Sequence, residues 1–98
     1  MAILRWAPEA EDWLRAIHEY IAADNGRAAD KVVGGILARA RVLRTYPRIG
    51  QLYRNEPEGE VRLLLYGHYR IAYLLRANDD IDVLGVFHGA MEMDNYLT

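Results

Sequence analysis

Two stretches in the first half of the chain have the hydrophobic spacing of amphipathic helices. The apolar positions of the first stretch recur every three or four residues: Ala10, Trp13, Leu14, Ile17, Tyr20 and Ile21. We predict that this helix begins at Pro8, because a proline at the first helical position loses no hydrogen bond. The run Asp24-Asn25-Gly26 is predicted to end it and to cap the helix that follows.

The second helix is predicted over residues 27–46, with Pro47 as its end. Its apolar positions are Ala29, Val32, Val33, Ile36, Leu37, Ala40 and Leu43. The pair Gly34-Gly35 lies inside it, and each glycine costs about 1 kcal/mol relative to alanine. Close approach of a neighbouring helix or a partner would explain the pair, and so would a simple helix defect.

Beyond residue 50 the hydrophobic period changes from that of a helix to two, which predicts strands over 60–66, 69–76 and 81–88. Short connections at Gly67-His68 and Asn78-Asp79 indicate that these strands are antiparallel neighbours. Residues 50–53 form a turn or a short strand, and residues 2–6 a first strand that pairs with a later one. Residues 89–98 are expected to dock on the sheet as a short helix or tail.

These elements predict an α+β fold of order β-α-α-β-β-β, in which a helical hairpin packs on a small antiparallel sheet. The whole chain, residues 1–98, is expected to form one domain. The sequence has no cysteine, which excludes disulfides and Cys-based zinc sites. We also find no signal peptide and no apolar run of about 20 residues, so a cytoplasmic protein without membrane contact is expected.

The formal net charge is only −2, but the basic residues are unevenly placed. Six of the twelve lie within residues 39–62: Arg39, Arg41, Arg44, Arg48, Arg54 and Arg62. Such a cluster could present a positive patch to a nucleic acid or to an acidic protein surface. It could equally be a solvated helix face, and the chain as a whole is not basic as nucleic-acid-binding proteins usually are.

Several short motifs, taken in order, resemble the RelE/ParE superfamily of bacterial toxins from toxin–antitoxin modules, and the resemblance covers nearly the whole chain. The motifs are Trp6-Ala7-Pro8-Glu9-Ala10, Ile17-His18-Glu19-Tyr20-Ile21-Ala22, Tyr46-Pro47-Arg48-Ile49-Gly50, Val61-Arg62-Leu63-Leu64, Tyr69-Arg70-Ile71-Ala72-Tyr73 and Val86-Phe87-His88-Gly89-Ala90. The superfamily contains two activities on one fold. RelE-like members are ribosome-dependent mRNA endoribonucleases, whereas ParE-like members are linked to DNA gyrase inhibition without a known hydrolytic reaction.

Metal-free RNA cleavage requires a base, a cation beside the phosphate and an acid for the leaving oxygen. If the protein is RelE-like, the resemblance assigns these roles to Arg62, Arg70, His88 and Glu56. The set is incomplete, because the region after the second helix has no lysine and Met91 stands where a basic residue often follows the histidine. We therefore expect no catalytic residues, no metal and no cofactor, and no direct nucleic-acid binding unless the protein is RelE-like.

The favoured interpretation is a ParE-like toxin that inhibits DNA gyrase by binding it and that a cognate antitoxin neutralises in a hetero-oligomer. The predicted target-binding residues lie on the sheet and in the C-terminal segment: Arg62, Arg70, His88, Met91 and Tyr96. The predicted antitoxin-binding residues lie on the second helix: Val32, Ile36, Arg39 and Leu43. A fully buried apolar stripe on that helix is the alternative.

Overall fold

A computed structural model describes residues 2–89 and 91–97 as a helical hairpin packed on a five-stranded sheet. The α+β class and the order of the helices are therefore as the sequence predicts. In chain order the elements are β1 (Leu4–Trp6), α1 (Pro8–Ala22), α2 (Gly26–Arg41), a 3-10 helix (Val42–Arg44), β2 (Gln51–Glu56), β3 (Gly59–Tyr66), β4 (Tyr69–Arg76), β5 (Ile81–His88) and a second 3-10 helix (Met93–Asn95).

The ends of the two helices follow from local chemistry. Pro8 opens α1, and the side chain of Asn25 caps α2 by accepting a hydrogen bond from the Ala28 N–H at 3.1 Å. Between the helices, His18 Nε2 lies 2.8 Å from a carboxylate oxygen of Asp30. The region predicted as one helix to residue 46 tightens into the 3-10 helix after Arg41, ahead of Pro47.

The sheet has the strand order β1-β5-β4-β3-β2 and is mixed, not wholly antiparallel. The strands from β2 to β5 are antiparallel neighbours, as their short connections predict. β1 pairs with β5 in parallel, with Leu4 opposite Ile81. The prediction of an entirely antiparallel sheet is corrected here, because the helical hairpin that follows β1 lets it join the sheet in either direction.

β2 is longer than the turn or short strand that the sequence suggests. It pairs with β3 from Gln51 to Glu56, and a β-bulge lies between Leu52 and Arg54. The bulge breaks the alternation of inward and outward residues, so a period of two is not visible in the sequence. The chain consequently has four strands after the helical hairpin where three were predicted.

The sheet is covered on both faces, and each face has its own hydrophobic core. The helices cover one face, where Ile36, Leu43 and Tyr73 are fully buried. Residues 91–97, hereafter the C-terminal segment, cover the other face, where Met93 and Leu97 pack against Val61. This docking of the last residues confirms the expected C-terminal turn; Ala90 and Thr98 lie outside the described residues. Within the described part of the chain, no helix is long and apolar enough to cross a bilayer.

Candidate protein-interaction surfaces

Arg62 anchors the turn that follows α2. Its guanidinium pairs with Glu60 at 2.8 Å and donates hydrogen bonds to the carbonyl oxygens of Arg48 and Gly50, at 3.2 and 2.7 Å. Only 15% of the Arg62 side chain is exposed. The guanidinium therefore has a structural role. Contact between Arg62 and a cellular target stays a prediction, and such contact would have to use a side chain that is already engaged in this turn.

Tyr73 lies opposite Arg62 on β4 and holds the same turn. Its hydroxyl donates to the carbonyl of Pro47 at 2.7 Å and accepts from the N–H of Gly50 at 3.0 Å. Burial raises the pKa of Tyr73, although the hydrogen bond from Gly50 acts in the opposite direction. The phenol remains protonated at neutral pH, which preserves its donor to Pro47.

Arg70 fastens the C-terminal segment to the sheet. Its Nη2 donates to the carbonyl oxygens of His88 and Met91, at 3.1 and 2.8 Å. Its Nε is buried and finds no hydrogen-bond partner among residues 2–89 and 91–97. Arg70 thus fixes the path of the chain where it leaves β5.

Two further side chains, both on β2, hold the C-terminal segment. The Tyr53 hydroxyl donates to the Asp94 carboxylate, and Arg54 donates to the carbonyl of Leu97 while pairing with Glu56. The hydrogen bond to Asp94 raises the pKa of Tyr53, with partial desolvation acting in the same direction. Sequence analysis missed Tyr53 as an anchor, because the strand that positions it was hidden by the bulge.

The four residues assigned to RelE-like catalysis do not converge on one site. Arg62 pairs with the helix-facing Tyr73, whereas Arg70 pairs with Leu65 and Phe87 on the opposite face of the sheet.

Glu56 lies at the far end of the sheet from Arg70. Glu56 on β2 pairs with Gly59 on β3, and Gly59 pairs with Arg76 on β4. Arg76 is six residues along β4 from Arg70. That separation is about 20 Å at the rise of a β-strand.

His88 is placed on the helix-facing side, at the end of β5. Its ring meets the edge of Tyr69 at a centroid distance of 5.9 Å and an interplanar angle of 87°. Its main-chain carbonyl accepts a hydrogen bond from Arg70. The His88 side chain shares the helix-facing side with Tyr69, whereas Arg70 lies on the opposite face of the sheet with Phe87.

Two of the four predicted antitoxin contacts are wrong. Ile36 and Leu43 are 0% exposed and lie in the core beneath the sheet, so no partner can reach them in the folded chain. The apolar stripe of α2 is wide because it meets both α1 and the sheet. Val32 is only partly buried, and Arg39 keeps its place near the surface by donating from Nε to the Leu65 carbonyl at 3.1 Å.

The two glycines of the pair in α2 have different surroundings. A Cβ on Gly35 would lie 1.8 Å from the hydroxyl oxygen of Tyr66, so this glycine admits a side chain from β3. A Cβ on Gly34 would meet nothing within 4 Å. The close neighbour is therefore the sheet, and neither a helix nor a partner is needed to explain Gly35.

In the part of the chain that the structure describes, no three histidine, aspartate or glutamate side chains lie close enough together to hold a metal ion. Two surfaces are candidates for interaction with a partner: the basic turn after α2, and the region where α1 meets the C-terminal segment.

The fold is similar to that of solved toxin–antitoxin structures. A chain of the chromosomal ParDE system of P. aeruginosa superposes with a TM-score of 0.74 at 21% identity, covering 90% of this chain and 96% of that one. A chain of the RelBE2 toxin–antitoxin complex of Mycobacterium tuberculosis superposes with a TM-score of 0.64 at 21% identity, covering 89% and 96%. Among curated proteins, none shows significant sequence similarity to the chain.

These likenesses define the class of fold, and the sequence itself identifies the family. A family model described as "ParE toxin of type II toxin-antitoxin system, parDE" matches residues 4–93. The chain belongs to this ParE toxin family, which confirms the resemblance seen in its motifs.

Proposed function

We propose that this toxin inhibits DNA gyrase by binding it, without making or breaking a bond itself. Family membership supports the proposal, as does the closer superposition on the ParDE chain than on the RelBE2 chain. The observation that carries it is the placement of Arg62 and Arg70. They lie on opposite faces of the sheet, and each donates to main-chain carbonyls of its own chain.

An active site that cleaves RNA without a metal needs a cationic group, such as a guanidinium, that faces the phosphate. A base and an acid must lie beside it. Here the only carboxylate assigned to that role, Glu56, pairs with Arg54 at the opposite end of the sheet. The geometry therefore favours occupancy of a larger enzyme over hydrolysis of RNA. We further propose that the protein acts in the cytoplasm, as a single domain.

A cognate antitoxin is the second partner in this proposal. Both solved neighbours come from toxin–antitoxin systems, and the basic surface after α2 offers a place for an acidic chain. Arg41, Arg44 and Arg48 are exposed there. A disordered antitoxin segment that folds on the toxin could pair its carboxylates with them.

The test measures gyrase supercoiling and cleavage of ribosome-bound mRNA in parallel, with the purified toxin and two variants, His88→Ala and Glu56→Gln. We expect the toxin and Glu56→Gln to inhibit supercoiling equally, and the toxin and both variants to leave mRNA intact. His88→Ala should inhibit supercoiling less strongly if His88 contacts gyrase as predicted. Arg62→Ala is a poor choice for this test, because losing the anchor of the turn can unfold the chain.

Cleavage of mRNA by the wild type, with loss of cleavage in His88→Ala, would replace the proposal with its alternative, a RelE-like ribosome-dependent endoribonuclease. Circular dichroism of both variants is the control, because an unfolded variant would lose either activity.

A further inference from the structure

An aromatic hollow of about 510 Å³ lies where α1 meets the end of β5 and the C-terminal segment. Most of its lining side chains are aromatic or apolar: Trp13, Ile17, Tyr20, Tyr69, His88 and Met91. Tyr20 is the most open of them, with 84% of its surface exposed. An aromatic ring so exposed on an otherwise well-packed helix contributes little to folding, since it buries little area.

The wall of this hollow is held by ring-to-ring contacts. Trp13 meets the edge of Phe87 at a centroid distance of 4.9 Å and that of Tyr96 at 5.1 Å, with interplanar angles of 66° and 90°. Phe87 and Tyr96 stack at 5.7 Å. At the other side, Arg70 holds the main chain of Met91. The Trp13 face of the hollow is therefore fixed before any ligand arrives, which lowers the entropic cost of binding.

The surroundings of the hollow are acidic. Glu9 and Asp12 line an adjoining depression that shares Trp13 with it. α1 contains four acidic residues and one basic residue, and the C-terminal segment contains two acidic residues and no basic one. The basic residue, Arg15, is paired with Asp12 at 2.8 Å. Even with Arg54 and Arg70, which donate to the C-terminal segment, the acidic residues of α1 and this segment outnumber the basic ones by six to three.

We infer that the aromatic hollow and its acidic surroundings are a docking surface for an arginine-bearing segment of a partner protein. An arginine guanidinium stacks on tyrosine and tryptophan faces and is attracted by their negative π-clouds. Acidic residues around the hollow add long-range attraction for a basic segment. The inference does not depend on which enzyme the toxin inhibits, because it rests only on this surface.

Charge and aromatic chemistry together indicate which kind of segment would bind in the aromatic hollow. An acidic segment would be repelled by α1 and the C-terminal segment. A purely apolar segment would use the rings but would gain nothing from the excess of negative charge around them. Arginine satisfies both features, and it does so better than lysine because its planar head stacks on rings.

The probe is a short, fluorescently labelled arginine-rich peptide, and the readout is its fluorescence anisotropy with the full-length toxin. We expect saturable binding that is tighter than that of a lysine-rich peptide of equal length and weakens with added salt. Tyr20→Leu should weaken binding of the arginine-rich peptide by roughly two- to fivefold, which corresponds to the free energy of an exposed cation–π contact. Tyr20→Phe, which keeps the ring, should bind as the wild type does.

Tyr46→Leu is the matched control, because Tyr46 is also an exposed tyrosine (62%) but lies in the basic turn. It should leave binding of the arginine-rich peptide unchanged. The inference is overturned if the peptide fails to bind, or if Tyr20→Leu binds it as tightly as the wild type does. It is also overturned if sedimentation shows that free toxin self-associates and that Tyr20→Leu abolishes this, since the occupant would then be a second copy.

Discussion

At the scale of single residues, Asp82 shows how much one carboxylate can connect. It lies on β5 between Arg5 of β1, at 3.0 Å, and Arg76 of β4, at 2.6 Å. Burial alone would disfavour its charge, but the hydrogen bonds from Arg76 and Arg5 outweigh this, and the pKa of Asp82 is lowered. Because β1 has only three residues, this side-chain link supplements a short backbone pairing with β5.

The lowered pKa of Asp82 predicts a pH dependence of stability. A carboxylate with a depressed folded-state pKa stabilises the protein above its unfolded pKa of about 3.9, and the contribution is lost as pH falls through the folded pKa. We expect Asp82→Asn to cost about 1–2 kcal/mol at pH 7 by urea unfolding, allowing for the exposure of both arginines. The difference from wild type should vanish in strong acid.

Asp12→Asn is the control for this experiment, because the Asp12–Arg15 pair is exposed and contributes little. Its unfolding free energy should stay within about 0.5 kcal/mol of wild type. If Asp82→Asn and wild type differ by the same amount at every pH, the ionised link is not what stabilises β1.

At the scale of elements, the glycine pair of α2 offers a matched comparison. Gly34→Ala should stabilise the protein by about 0.5–1 kcal/mol, because its Cβ enters open space and the helix gains propensity. Gly35→Ala should destabilise it by about 1 kcal/mol or more, because Tyr66 must move. Thermal and urea unfolding of the two variants measure this, and equal effects at both positions would disprove the contact.

Elements with a strong local signal could be predicted from the sequence. The helices follow from their apolar spacing, Pro8 and Asn25, and the strands β3 to β5 follow from alternation and short connections. β2 could not be predicted in full, since its bulge breaks the pattern. The direction of β1 could not either, because it depends on pairing with residues almost the whole chain away.

The candidate site was predictable only in part, for a related reason. Strand alternation assigns Arg62 and Arg70 to strands, but it cannot show that the two arginines lie on opposite faces until the register of β3 and β4 is known. The burial of Ile36 and Leu43 depends on where α1 and the sheet meet α2. Tyr53 and Trp13 acquire their roles only when the C-terminal segment docks beside them.

In the whole molecule, charge is unevenly distributed between two groups of elements. Residues 26–50 contain six basic residues and one acidic residue, whereas α1 and the C-terminal segment are predominantly acidic. A chain with a net charge of −2 thus presents two surfaces of opposite sign. Each surface selects a partner of the other sign, and electrostatic steering then acts mainly on association rates.

The basic surface after α2 predicts how the antitoxin binds. Reversing two exposed charges, Arg41→Glu with Arg44→Glu, should weaken antitoxin binding by about tenfold at low salt, mostly through a slower association rate. The difference should shrink as salt is raised. Surface plasmon resonance measures both, with Arg15→Glu on α1 as the control that should bind normally. Equal loss in the control would mean that net charge, and not this surface, governs binding.

The proposed action of this ParE-family toxin is occupancy of gyrase, not catalytic turnover. Its most direct test is to titrate toxin against a fixed concentration of gyrase and to follow supercoiling. Occupancy predicts inhibition that tracks the bound fraction of gyrase, reverses when antitoxin is added, and leaves mRNA on ribosomes uncut. The claim is contradicted if gyrase is unaffected at saturating toxin while trace amounts of toxin cleave ribosome-bound mRNA.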